Sequence, residues 1–175
     1  LMRADGAQIR YLTHFEDGTQ LYTPQWSPDG QYLVFSIGRE GARDIARLPV
    51  DQPGAPVEVL VATAGTDRDP VWRGNELVFA SDFSGIFNLY SYDLATQAIR
   101  PLTNVKGGAF TPTCNPNGEV AFAAYGARGF QIRKVGGEPG AALVPLAAPT
   151  PGVTPKAALF SSHPYGVDFL KTSLL

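Results

Sequence analysis

The 175-residue chain is predicted to be all-β, a stack of small antiparallel sheets, on three observations. Its 19 glycines and 15 prolines make up about a fifth of the residues, far above average usage, which implies many turns and many short strands. One residue pattern returns about every 44 positions, and such periods mark repeat architectures. No stretch shows capped 3.6-residue apolar periodicity, so helices are expected to be nearly absent.

Three segments carry the repeat. The first reads Tyr22-Thr23-Pro24-Gln25-Trp26-Ser27-Pro28-Asp29-Gly30, followed by the apolar run Tyr32-Leu33-Val34-Phe35-Ser36. The second reads Asp69-Pro70-Val71-Trp72-Arg73-Gly74-Asn75, then Leu77-Val78-Phe79-Ala80-Ser81. The third reads Phe110-Thr111-Pro112-Thr113-Cys114-Asn115-Pro116-Asn117-Gly118, then Val120-Ala121-Phe122-Ala123-Ala124. Prolines 24, 70 and 112 are 46 and 42 residues apart, and glycines 41, 85 and 129 are 44 and 44 apart.

Each unit divides into four strands. Strand a is the short segment with Trp26, Trp72 or Cys114. The turn after it, Ser27-Pro28-Asp29-Gly30 in the first unit, puts proline where φ is already set and glycine where φ is positive. Strand b is the β-branched and aromatic run. Strand c follows a glycine-bearing loop, at 44–48, 88–92 and 131–135, with period-2 alternation visible in Leu89 against Tyr90 and Tyr92. Turns at 51–54, 93–97 and 136–140 lead to strand d at 57–61, 98–103 and 142–146. Four-stranded units of this length are the signature of a β-propeller, because one small sheet cannot bury both of its faces alone. Trp26 and Trp72 are expected to be wedged between neighbouring sheets.

The phase of the repeat carries a second expectation. Residues 8–13 have the pattern of a strand d, and 3–6 that of the turn before it. The organisation is thus the end of a preceding blade (1–13), three blades (14–61, 62–103 and 104–146), and an extended, proline-rich tail or docking arm (147–175). About three blades plus one strand make an incomplete ring, since propellers take four to eight blades. The expectation is a portion of a longer polypeptide, or a ring closed with another chain.

These residues resemble a known family. The unit Trp26-Ser27-Pro28-Asp29-Gly30 with its apolar strand is similar to the repeat of TolB-type propellers, relatives of the WD-repeat class. The second unit is closer still, with Asp82-Phe83-Ser84-Gly85, then Asn88-Leu89-Tyr90-Ser91-Tyr92-Asp93-Leu94, then Arg100-Pro101-Leu102-Thr103. The resemblance covers residues 8–146. It departs at Arg73-Gly74-Asn75, where the Ser-Pro-Asp-Gly turn is expected, and at Cys114, which replaces tryptophan. It implies a bacterial envelope setting, often periplasmic, and protein-binding or scaffolding roles without catalysis. The family also supplies the non-catalytic gating propeller of prolyl-oligopeptidase-like serine peptidases. Residues 165–170 are faintly similar to the segment joining such propellers to an outer-membrane barrel.

Composition excludes several classes. With 14 Lys+Arg against 16 Asp+Glu there is no basic field for nucleic acid. No apolar run approaches the roughly 18–20 residues of a membrane-spanning helix. One cysteine permits neither an intrachain disulfide nor a cysteine zinc cage, and no Asp-x-Asp-x-Asp-Gly run points to calcium. Neither a nucleophile elbow, a phosphate loop nor a His-Glu-x-x-His motif occurs, so no catalytic residue, cofactor or metal is assigned. His14 falls at a blade connection and His163 in the tail. Cys114, in a tryptophan's place, reads as a buried, inert thiol.

The candidate partner surface is the set of d-to-a and b-to-c loops. It includes Asp67, Arg68 and Asp69, and Arg39, Arg43, Asp82, Phe83 and Arg128, with loops carrying contacts on a rigid scaffold. Two readings stand for it, a partner contact face and a solvated set of surface charges. Exposure of Phe83 separates them, because an apolar residue ringed by charge suits an interface anchor. The expected partners are proteins, including the missing blades or another chain.

Overall fold

The computed structural model describes residues 1–2 and 4–135, and every regular element among them is a β-strand. The first sheet holds β1 (Gln20–Trp26), β2 (Tyr32–Arg39), β3 (Ala42–Pro49) and β4 (Glu58–Val61). The second holds β5 (Asp67–Arg73), β6 (Glu76–Ser81), β7 (Asn88–Asp93) and β8 (Ile99–Pro101). The third holds β9 (Gly108–Cys114), β10 (Val120–Gly126) and β11 (Gly129–Lys134). All three are antiparallel meanders in chain order, the blades of an incomplete propeller. The strand expected at 142–146, the turn at 136–140 and the tail at 147–175 lie outside the described residues.

Local chemistry accounts for the turns. In the first a-to-b turn Gly30 N–H donates to the Ser27 carbonyl at 2.9 Å, with Gly30 at φ 71°. The Ser27 hydroxyl donates to Asp29 Oδ1 at 2.5 Å and accepts the Tyr32 N–H at 2.9 Å. In the third sheet Asn115 substitutes for that serine, and its Oδ1 accepts from the N–H groups of Asn117 (3.0 Å) and Glu119 (2.9 Å). The Arg73-Gly74-Asn75 departure becomes a two-residue hairpin, with Arg73 paired to Glu76.

The inner strands share a feature that propensity argues against. Thr23, Asp69 and Thr111 have φ of 48°, 55° and 45°, each directly before a proline and each where the pairing register shifts. A residue before proline prefers extended backbone, and left-handed φ costs on the order of 1–3 kcal/mol in a non-glycine residue. The bulge absorbs the proline, which has no N–H to give to a ladder, and bends the strand.

Stacking supplies the core. Val34, Ile45 and Val61 of the first sheet pack against Leu77, Phe79, Tyr90 and Tyr92 of the second, with Trp72 at the margin. Val78, Ala80 and Leu89 on the opposite face of the second sheet meet Ala109, Val120, Phe122 and Ala124 of the third. β5 runs across β1, β2 and β3, and β9 across β5, β6 and β7, so each inner strand lies on the sheet before it.

Two expectations fail at the leading end. Residues 8–13 form no strand, because a strand d needs a strand c beside it, and their backbone pairs only through Arg10 with Leu1 (2.8 and 2.7 Å). The segment instead covers the leading face of the first sheet, where Leu12 and Phe15 pack on Phe35, Ile37, Ala46 and Leu48. Trp26 is 52% exposed rather than wedged between sheets. Trp72 and Cys114, at the same place in their sheets, lie against the preceding sheet, whereas Trp26 borders an open cleft with Leu1, Met2, Gln8, Ile9 and Arg10.

This stacking sets a contrast that urea unfolding can read. Phe79→Ala, at a fully buried site, should cost about 3–5 kcal/mol. Trp26→Ala should cost no more than about 1 kcal/mol despite the larger side chain. Equal costs would contradict the arrangement.

Candidate functional site

Register places the loops. The first residue of each inner strand pairs near the end of strand b, Gln20 with Gly38, Asp67 with Ser81 and Gly108 with Tyr125. Strand c begins at that same edge, Arg43 opposite Gly38, Asn88 opposite Ser81 and Gly129 opposite Gly126. In each sheet the b-to-c loop and the incoming connection therefore share one end.

At the first junction this end is welded by a buried polar network. The Asp67 carboxylate is fully buried and accepts the Thr63 N–H and hydroxyl, both at 2.8 Å. Thr63 Oγ1 also lies 3.3 Å from Ser81 Oγ and accepts the Gly65 N–H at 3.1 Å. Asp82 Oδ1 accepts the Thr66 N–H at 2.6 Å. A Cβ on Gly65 would stand 2.4 Å from the Phe83 nitrogen, so only glycine permits the approach. The next connection is held likewise, with Asn88 Oδ1 accepting from the Thr103 hydroxyl (3.0 Å) and the Val105 N–H (2.9 Å).

The eight sequence-predicted contact residues separate on this frame. Asp67 and Asp69 are buried, Asp69 giving its N–H to the buried Ser36 hydroxyl at 3.1 Å, so the expected rim carboxylates are internal struts. Phe83 stacks on Tyr90 at 4.5 Å and packs on the core between the first two sheets, so it is not an exposed anchor. Asp82 is held in the same loop, half-buried. Arg43 lies 3.8 Å over the Tyr22 ring, and Arg68 pairs with Asp69 (2.9 Å) and covers Phe87 at 5.8 Å. Arg39, over Phe15 at 5.5 Å, and Arg128, in the β10–β11 hairpin, remain exposed. Arg128 borders an open cleft of about 360 Å³ with Tyr125, Gln131 and Arg133.

Charges follow these surroundings. Burial pushes the Asp67 carboxyl above the ordinary Asp range, with hydrogen bonds from Ser81 and Thr63 opposing and Asp82 adding to the rise. Burial and the nearby Asp67 raise Asp44, against Arg39. Burial raises the Cys114 thiol, partly offset by Arg73, so its thiolate is scarce near neutrality. His14 is exposed beside Glu16 at 3.2 Å, and His163 lies outside the described residues. Among the described residues no group of three or more His, Cys, Asp or Glu is arranged to hold a metal ion.

Sequence reasoning missed the polar roles of Thr63, Ser81 and Thr103; for Thr63 and Thr103 the signal was a threonine two residues past β4 and β8. It also missed the apolar outer face of the third sheet, where Tyr125, Phe130 and Ile132 are 50%, 67% and 81% exposed.

No family model matches the chain. Over 119 residues it is 31% identical to the Tol-Pal system protein TolB of Anaeromyxobacter sp. (strain K), covering 64% of this chain and 27% of that protein. The chain carries TolB-type propeller repeats. The crystal structure of TolB from Acinetobacter baumannii has the same fold, with a TM-score of 0.61 at 20% identity over 75% of this chain and 33% of that one. A puromycin-hydrolyzing peptidase of Mycobacterium tuberculosis shares it too, with a TM-score of 0.56 at 17% identity over 75% of this chain and 22% of that one. The chain thus spans about a quarter of the length of the TolB proteins it matches in sequence.

The buried carboxyls predict an acid response. The folded chain holds the Asp67 and Asp44 protons more firmly than the unfolded chain, whose reference value is 3.8. Stability should therefore rise as pH falls from about 7 through the folded pKa, and level off near 3.8. Below that, carboxyls held low by their turns, Asp29 and Asp93 among them, reverse the trend. Tm by circular dichroism from about pH 7 to about pH 4 reads this, and Asp67→Asn should flatten the rise. A steady fall in Tm over that range would contradict it.

Proposed function

We propose that this chain is part of a non-enzymatic propeller that presents its clustered loops to protein partners in a bacterial envelope assembly, in the periplasm. The observation that carries this reading is the fixed loop end. Thr63, Asp67, Ser81 and Asp82 lock the connection of the first junction to the loop of the second sheet from inside, and Arg39 and Arg128, in the corresponding loops of the first and third sheets, are exposed cations at the same end. Preorganised loops lose little freedom on binding, and exposed charges chiefly govern encounter rate and partner choice. The relatives named as Tol-Pal system proteins support a role in such an assembly.

A second reading, the gating propeller of a serine peptidase whose catalytic domain lies outside this segment, draws support from the likeness to the mycobacterial peptidase. A nucleophile-elbow hydrolase domain in the same polypeptide would favour it over the scaffold.

Crosslinking to envelope proteins tests the primary reading. Arg39→Glu with Arg128→Glu should lower partner capture by about tenfold, with the loss reduced at high salt. Arg47→Glu, at the opposite end of the first sheet beside Glu58, should leave capture unchanged. Loss with Arg47→Glu and none with the loop pair would overturn the reading.

A further inference from the structure

The first and third a-to-b turns differ in which side chain closes them. In the first, Asp29 at the third position is engaged, its Oδ1 accepting the Ser27 hydroxyl at 2.5 Å and the Gln31 N–H at 3.0 Å. In the third, the residue at the first position takes over the closure. Asn115 Oδ1 accepts the N–H groups of Asn117 and Glu119, and its Nδ2 donates to Glu119 Oε2 at 2.7 Å. The carboxamide of Asn117 is left exposed, with no hydrogen bond among the described residues. Gly118 follows it at φ 79°, its N–H donating to the Asn115 carbonyl at 2.9 Å.

A free carboxamide beside a glycine amide is a pair of reactants. Glycine has no Cβ to screen its nitrogen, which can reach the preceding Cγ once the turn hydrogen bond opens. A short turn at the exposed end of a sheet opens locally at low free energy. The other asparagines are each protected. Pro116 follows Asn115 and has no N–H to give up. Asn88 is buried, its Oδ1 accepting from Thr103 and Val105. Asn75 and Asn104 precede Glu76 and Val105, whose side chains crowd the nitrogen that would attack.

We propose that Asn117 is a site of spontaneous deamidation, with Gly118 as its partner. The Gly118 nitrogen passes its proton to solvent hydroxide and bonds to Asn117 Cγ. The Cγ–Nδ2 bond breaks, and Nδ2 takes a proton from water and leaves as ammonia. Water then opens the five-membered succinimide at either carbonyl, giving aspartate or isoaspartate at position 117. The net exchange is one water in and one ammonia out. The product carries a new negative charge near Arg73 of the second sheet, whose Cγ lies 3.8 Å from where a Gly118 Cβ would stand. Isoaspartate also lengthens the backbone of the turn by one carbon. The a-to-b turns lie at the opposite end of the sheets from the b-to-c loops, so this does not rest on the proposed partner role.

Mass spectrometry of the full chain, sampled over time in warm, mildly alkaline buffer, tests it. Tryptic peptide 107–128 holds Asn115 and Asn117, and 74–106 holds Asn75, Asn88 and Asn104. Peptide 107–128 should gain about 1 Da and split into two chromatographic species, at least about tenfold faster than any gain in 74–106. Asn117→Gln, whose ring would need six members, should slow that gain at least about tenfold. No gain in the parent chain, equal gain in the two peptides, or a gain undiminished by Asn117→Gln would overturn the proposal.

Discussion

A small antiparallel sheet has two faces and cannot cover both, and everything else in this molecule follows from that. Phe35, Phe79 and Phe122 occupy one position in strand b and all point toward the preceding element. The residues flanking them point the other way and stay small or β-branched, leaving room for the next inner strand. The interface between sheets is therefore directional, a bulky leading face on a shallower trailing face. Where a preceding sheet is lacking, residues 12 and 15 supply the cover for Phe35 and Ile37, but Trp26 goes half-covered.

The same geometry explains where polar groups are tolerated inside. Crossing from one sheet to the next turns the backbone sharply, and the amides of Thr63, Gly65 and Thr66 need acceptors that a ladder no longer supplies. Asp67, Thr63 and Asp82 provide them. An isolated buried carboxylate is costly, but one that accepts several hydrogen bonds stays tolerable and ties the connection to the b-to-c loop. The result is a connection whose backbone is held from within, while Arg39 and Arg128 in the neighbouring sheets' loops face solvent.

Strain is distributed as regularly as packing. The left-handed residue before each inner-strand proline recurs at Thr23, Asp69 and Thr111, though their exposures differ. A feature repeated through three sheets with different side chains belongs to the curvature of the inner strand, not to one site.

Alternation, turn chemistry and period determined much here without coordinates: the all-β class, the strand order of the first two units and the Ser27–Gly30 turn. Those depend on neighbours a few residues away, which a linear pattern records. The candidate contact residues were only partly legible. Loop membership could be read, but not that Asp67 and Asp69 turn inward or that Phe83 seats on Tyr90. Tertiary structure alone decided the exposure of Trp26, the coverage by residues 8–15 and the left-handed φ at Thr23, Asp69 and Thr111. The first two depend on which sheet lies beneath a given strand, a contact that joins residues about 40 positions apart whose identities vary freely as long as the gap is filled, and the third on the bulge that bends each inner strand.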